Sequence, residues 1–252
     1  MTLDSWSCIY DARSSVDFAA ESTLDRASYM WRRASSVVYG VGPRIERRIR
    51  SAIHRYRAGT VHRMGLRRAL TDSGDTILPL PATAAELLEA LAAPPRLGAH
   101  LRAVHHVAHR LTGELAKEGL AVDRDAVLFG AATHDIGKVR HPEELEQPGN
   151  AHEPVGYELL LSYGVPHELA RFAGSHGSSW LNPDSPTEDL LVSLADKVWK
   201  GSRVTELEQC VLQRLPGDEW DAFLRLDNVL GKLARQADEL LAFQFRHPVR
   251  DV

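Results

Sequence analysis

A chain of 252 residues with 44% hydrophobic side chains and a formal net charge of -4 has room for one large domain or for a compact domain plus an extension. No stretch approaches the roughly 20 uninterrupted apolar residues that span a bilayer, and the N-terminus lacks the basic start, apolar core and small-residue cleavage site of a signal peptide. A soluble, cytoplasmic protein with no membrane partner is therefore expected. The only cysteines, Cys8 and Cys210, are far apart, which excludes a disulfide framework or a thiolate zinc site and leaves any metal to His and carboxylates.

The net charge hides an asymmetry. Between Arg26 and Arg68 stand arginines 26, 32, 33, 44, 47, 48, 50, 55, 57, 63, 67 and 68 against one acid, Glu46, so residues 1–75 read as a basic N-terminal extension, partly helical or flexible. Pro43 and Gly59 interrupt possible helices there, and residues 72–75 read as the loop before a domain over 76–250. Arg44 to Tyr56 fits either a short basic helix, with Ile45, Ile49, Ala52 and Ile53 on one face, or a solvated arm. These arginines, with Trp31 and Tyr56 as stacking rings, are a candidate contact for nucleic acid.

From Thr83 the pattern is sharper. Thr83 and Glu86 form a capping box before Leu87, Leu88 and Leu91, and Pro94-Pro95 ends that helix. Leu97, Leu101, Val104, Val107, Leu111 and Leu115 then mark an amphipathic helix that Gly119 closes. Ala126 to His134 reads as a buried helix, His152 to Tyr163 as another, Pro166 as the first turn of a helix to about Ser175, and Thr187 to Trp199 as the next. Trp220 to Leu241 reads as one long amphipathic helix. With no period-two strand, no repeat and no low-complexity segment, the expected fold is all-α.

The chemistry gathers on a few residues. His134-Asp135 sets an imidazole beside a carboxylate, a pair that can reach one divalent cation of borderline hardness but that also occurs as a plain helix cap. His100 and Asp196 stand among the apolar residues of their helices, where a charged group needs a metal or an ion-pair partner. His105 is the fallback for His100, because it lies on the same helix but reaches His109 and Thr112 rather than an apolar stripe.

In order and spacing, His100-Leu-Arg-Ala-Val, Thr133-His134-Asp135-Ile136-Gly137-Lys138 and Leu194-Ala195-Asp196-Lys197 resemble the HD superfamily of metal-dependent phosphohydrolases, over roughly residues 83 to 200. The resemblance implies a helical bundle in which His100, His134, Asp135 and Asp196 hold one metal. His152 and His176 fall where a binuclear subset carries two further histidines, so they would hold a second metal with Asp135 as bridge. Iron, manganese or a similar divalent ion is implied. The pattern is similar to HD-type dinucleoside tetraphosphate hydrolases and to HD-GYP domains, although the GYP triplet is absent, which counts against cyclic di-GMP.

The resemblance implies hydrolysis of a phosphate ester or anhydride in a small phosphorylated substrate, a nucleotide or dinucleotide. Asp135 and Lys138 are then the catalytic candidates, Lys138 as the phosphate contact, with His141 as a weaker substrate contact. Lys197, Lys200 and Arg203 suggest a basic rim. Two other readings share the pattern: an HD-fold di-iron oxygenase, and a non-catalytic module that binds nucleotide or RNA. There is no GxxxxGK[ST] phosphate loop, GxSxG elbow or HExxH motif.

Overall fold

A computed structural model describes residues 42–56, 64–72 and 76–249. Trp31 and the arginines at 26, 32, 33, 57 and 63 lie outside the described residues, as does the side chain of Tyr56. Among the described residues the fold is all-α, with no strand. The helices are α1 Pro43–Tyr56, α2 Met64–Thr71, α3 Ala82–Ala90, α4 Pro95–Lys117, α5 Arg124–Thr133, α6 His152–Ser162, α7 His167–Ser175, α8 Thr187–Val198, α9 Thr205–Leu212, α10 Glu219–Ala234 and α11 Ala237–Phe245. Short 3₁₀ turns cover Ile136–Val139, Pro142–Leu145 and Ser179–Leu181. No helix among the described residues is long and apolar enough to cross a membrane.

The centre is α4. Pro95 opens it with a pre-set φ and no N–H to lose. Gly119, at φ +87°, closes it: its N–H reaches Ala116 O, and that of Leu120 reaches Leu115 O, at 3.1 and 3.0 Å. Around this axis α4 packs against α2, α5, α8, α10 and α11, while α6 and α7 pair with each other. One apolar core joins Val104, Val107, Leu111 and Leu115 to Leu190, Leu194, Leu226 and Leu230. A second joins Leu97 and Leu101 to Ile49, Leu66, Leu87, Phe129 and Leu160. The α4 and α5 helices thus stand between two cores, and the first turns of α4 and the end of α5 lie where helices from both sides meet.

Several local expectations change. Pro43 starts α1 instead of interrupting it, and Ile49, Ala52 and Ile53 are buried, so this basic segment is a docked helix with Arg44, Arg47 and Arg48 exposed. Residues 43–56 and 64–71 pack into the same core as α3 and α6. The Thr83–Glu86 capping box does not form: Pro81 is the N-cap, Thr83 is buried, and Glu86 pairs instead with Arg50 at 3.3 Å. The single C-terminal helix is two, because the chain turns at Arg235-Gln236, where the Gln236 N–H bonds Leu233 O only three residues back. Pro166 caps α7 from outside, its extended ψ of 155° preceding the first turn.

His105, the fallback ligand, is fully buried in α4. Burial, reinforced by the positive charge of His109, His106, Arg124 and Arg102, pushes its pKa down to about 3. An unfolded chain protonates this imidazole below about pH 6.5, whereas the folded chain resists until much lower pH, so its contribution is intact above 6.5 and is lost as pH falls. Denaturant titrations are expected to show about 2 kcal/mol less stability at pH 5 than at pH 7 from this residue, with a shallower pH dependence in His105→Phe. Equal wild-type stability at both pH values would contradict it.

Candidate metal centre

Each of the six residues of the HD-like pattern sits near a helix end. His100 is in the second turn of α4, His134 is the C-cap of α5 and Asp135 follows it, His152 opens α6, His176 is the C-cap of α7, and Asp196 lies in the last turn of α8. A close backbone approach places His152: a Cβ on Gly137 would collide with the carbonyl of His152, so only glycine lets the turn after Asp135 lie against α6. All six residues are buried, His134 completely.

The structure brings these side chains to one point. On one side the His100 Nε2 lies 3.3 Å from His134 Nε2, 3.0 Å from Asp135 Oδ2 and 3.8 Å from Asp196 Oδ1. On the other, His152 Nε2 and His176 Nε2 are 3.4 Å apart and lie 2.9 and 3.2 Å from Asp135 Oδ1. Asp135 therefore presents a different oxygen to each histidine pair.

The outer nitrogens explain why the inner ones point inward. His100 Nδ1 faces Gln244 Oε1, His134 Nδ1 faces Ala131 O, His152 Nδ1 faces Glu144 Oε2 and His176 Nδ1 faces Phe172 O. A carbonyl or carboxylate oxygen only accepts, so each Nδ1 carries a proton and each Nε2 of a neutral ring offers a lone pair. Such lone pairs and the carboxylate oxygens repel one another at these distances unless positive charge, as protons or metal, lies among them. That donor set fits divalent metals of borderline hardness. His100, His134 and Asp196 form one group able to hold an ion, and His134, Asp135 and His176 another.

The electrostatics agree. Burial opposes ionisation of Asp135, yet His134, Lys138 and the His100 and His152 rings beside it outweigh it and hold the carboxyl well below its usual range. Asp196 follows the same logic, burial being overcome by His134, Lys197 and Lys200. Burial also lowers the pKa of His152, but Asp135 and Glu144 raise it above its ordinary value.

Lys138 is where a 3₁₀ turn, not a continued helix, puts it: three residues past Asp135, with Nζ 2.6 Å from Asp135 Oδ2. His141 lies outside both histidine pairs, 3.2 Å from Glu143. Lys197 reaches inward to Asp196 Oδ2 at 2.8 Å and stands 5.8 Å from the Trp180 ring centre, so it belongs at the centre rather than on a rim. Arg203 is held away by Glu208 and Asp227. Sequence reasoning missed Glu144, Gln244 and Glu153, the last of which joins His152 and His176 as a third group able to hold an ion. Only Glu153 left a signal, as the neighbour of a candidate ligand.

Residues 97–199 match the family model described as the HD domain. No curated protein and no solved structure matches the chain.

Proposed function

From residues 97–199, which match the HD-domain family model, we propose that the protein is a binuclear metal-dependent phosphohydrolase cleaving a phosphate ester or anhydride of a nucleotide or dinucleotide. The observation that carries the binuclear part is Asp135, whose two oxygens each face a separate pair of histidine nitrogens. His100, His134, Asp135 and Asp196 would hold one metal, and Asp135, His152 and His176 the other. Two bound metals supply a water activated near neutral pH and charge against the phosphoryl oxygens. The nucleotide part rests on the resemblance of the ligand pattern to dinucleoside tetraphosphate hydrolases.

The protein's own groups hold and orient. The Nδ1 partners fix four imidazoles with Nε2 turned inward. Lys138 and Lys197 are partly exposed, at 16% and 21% of their side chains, and each grips a buried carboxylate. They stand between the buried cluster and solvent, where an arriving phosphate would meet two ammonium groups that balance growing negative charge.

Phosphate release from dinucleoside polyphosphates, with and without chelator, tests the reading alongside metal content per chain on protein purified without chelator. Two metals and chelator-sensitive release support it. Absence of metal-dependent release across nucleotides and simple phosphate esters would sink it, and oxygen uptake with iron would favour the oxygenase instead. Lys138→Ala is expected to keep both metals while kcat/KM falls about 10²–10³-fold, the usual cost of one preorganised charge contact in the transition state. A change of less than threefold would remove Lys138 from the substrate side.

A further inference from the structure

Residues 143–146 read Glu-Glu-Leu-Glu. Glu143 and Glu146 do lie out, with 58% and 62% of their side chains exposed, but Glu144 turns inward to 9%. Its carboxylate accepts three hydrogen bonds: from Ala151 N at 3.0 Å, from His152 N at 3.2 Å and from His152 Nδ1. Burying a carboxylate is costly, and all three compensating bonds fall at the start of α6, two of them on His152.

We propose that Glu144 is the positioning residue of the second metal site, fixing the tautomer and direction of His152 and tying metal binding there to the fold of residues 140–151. The inference rests on the binuclear reading. His152 is the one histidine of the four whose Nδ1 is backed by a carboxylate, since His134 and His176 use backbone carbonyls and His100 a neutral amide. A carboxylate behind an imidazole both holds its proton on Nδ1 and makes Nε2 a stronger donor. The Glu144 bonds that reach a ligand both go to His152, so its loss falls on the second site.

The loop carries a second sign of the same dependence. A Cβ on Gly149 would run into the Glu144 carboxylate, and three hydrogen bonds keep that carboxylate from swinging aside. Gly149→Ala should therefore disturb the second metal without touching any ligand.

The test is titration of Mn2+ into the full chain after chelator treatment, followed by calorimetry and by elemental analysis. Wild type, Glu144→Ala, Glu144→Gln and Gly149→Ala are compared, with circular dichroism to establish folding. Two sites are expected in wild type. In Glu144→Ala the second dissociation constant should rise about 10–100-fold while the first stays within about twofold. Glu144→Gln, which keeps an acceptor but no charge, should fall between, and Gly149→Ala should move in the same direction. Unchanged second-site binding in folded Glu144→Ala, or equal weakening of both sites, overturns the proposal. If Glu144→Ala does not fold, unchanged binding in both other variants overturns it as well. A single Mn2+ in wild type instead overturns the binuclear reading itself.

Discussion

Asp135→Asn is expected to leave a folded protein that holds almost no metal and releases phosphate at least about 10³-fold more slowly, as loss of several kcal/mol of charge stabilisation requires. The side chain keeps its shape, so the buried volume is unchanged and no cavity opens. What changes is the sign of the chemistry at the centre. Oδ1 faces His152 and His176 at 2.9 and 3.2 Å, and Oδ2 faces His100 at 3.0 Å and Lys138 at 2.6 Å. An amide can present an oxygen to only one side. Its NH2 must turn to the other, and there it donates to the lone pairs that would bind an ion while leaving Lys138 without its counter-charge. Elemental analysis of the purified variant decides the matter: near-zero metal supports the bridge, whereas one metal retained would assign Asp135 to a single site, and two retained would remove it from the donor set.

The metal-site geometry follows from residues that the sequence makes conspicuous, and its support does not. His100 and His105 are both buried, at 6% and 0%, so burial could not have chosen between them. The apolar spacing after His100 did, and the structure places His100 beside His134 while His105 remains among the core residues of α4. Asp196 was marked as needing a partner by Leu190, Leu191 and Leu194 around it, and His134 and Lys197 answer that need.

Glu144 and Gln244 carry no comparable mark. One hides in a polar run, and the other lies on α11, far past the histidine it faces, so only the tertiary fold joins them to the site. The same limit explains the helices that went unread. The α9 helix buries only Leu207 and Val211, too few to show a period. At Arg235-Gln236 the apolar spacing from Leu233 to Ala237 and Leu240 continues in phase, and no Gly or Pro marks the turn.

Arg102→Leu is expected to cost about 3–5 kcal/mol of folding stability, a large share of the 5–15 kcal/mol typical of a domain. The Arg102 guanidinium is 3% exposed and donates to four backbone carbonyls, those of Ala69, Asp72, Ile77 and Leu78, at 3.2, 2.8, 2.7 and 3.1 Å. Its charge centre also lies 5.3 Å from the Phe243 ring. One side chain thus ties the end of α2, the segment before α3 and the helix α11 to α4. Leucine would remove the buried cation, which returns some desolvation energy, but would strand carbonyls that a short apolar side chain cannot satisfy.

The effect of Arg102→Leu should reach the metal centre as well, because His100 stands two residues before Arg102 on α4 and its partner Gln244 follows Phe243 on α11. Urea titration measures the first consequence, and Mn2+ affinity of the folded fraction the second. A loss below about 1 kcal/mol would mean that water reaches the four carbonyls, and unchanged metal affinity would mean that α11 holds His100 without help from Arg102.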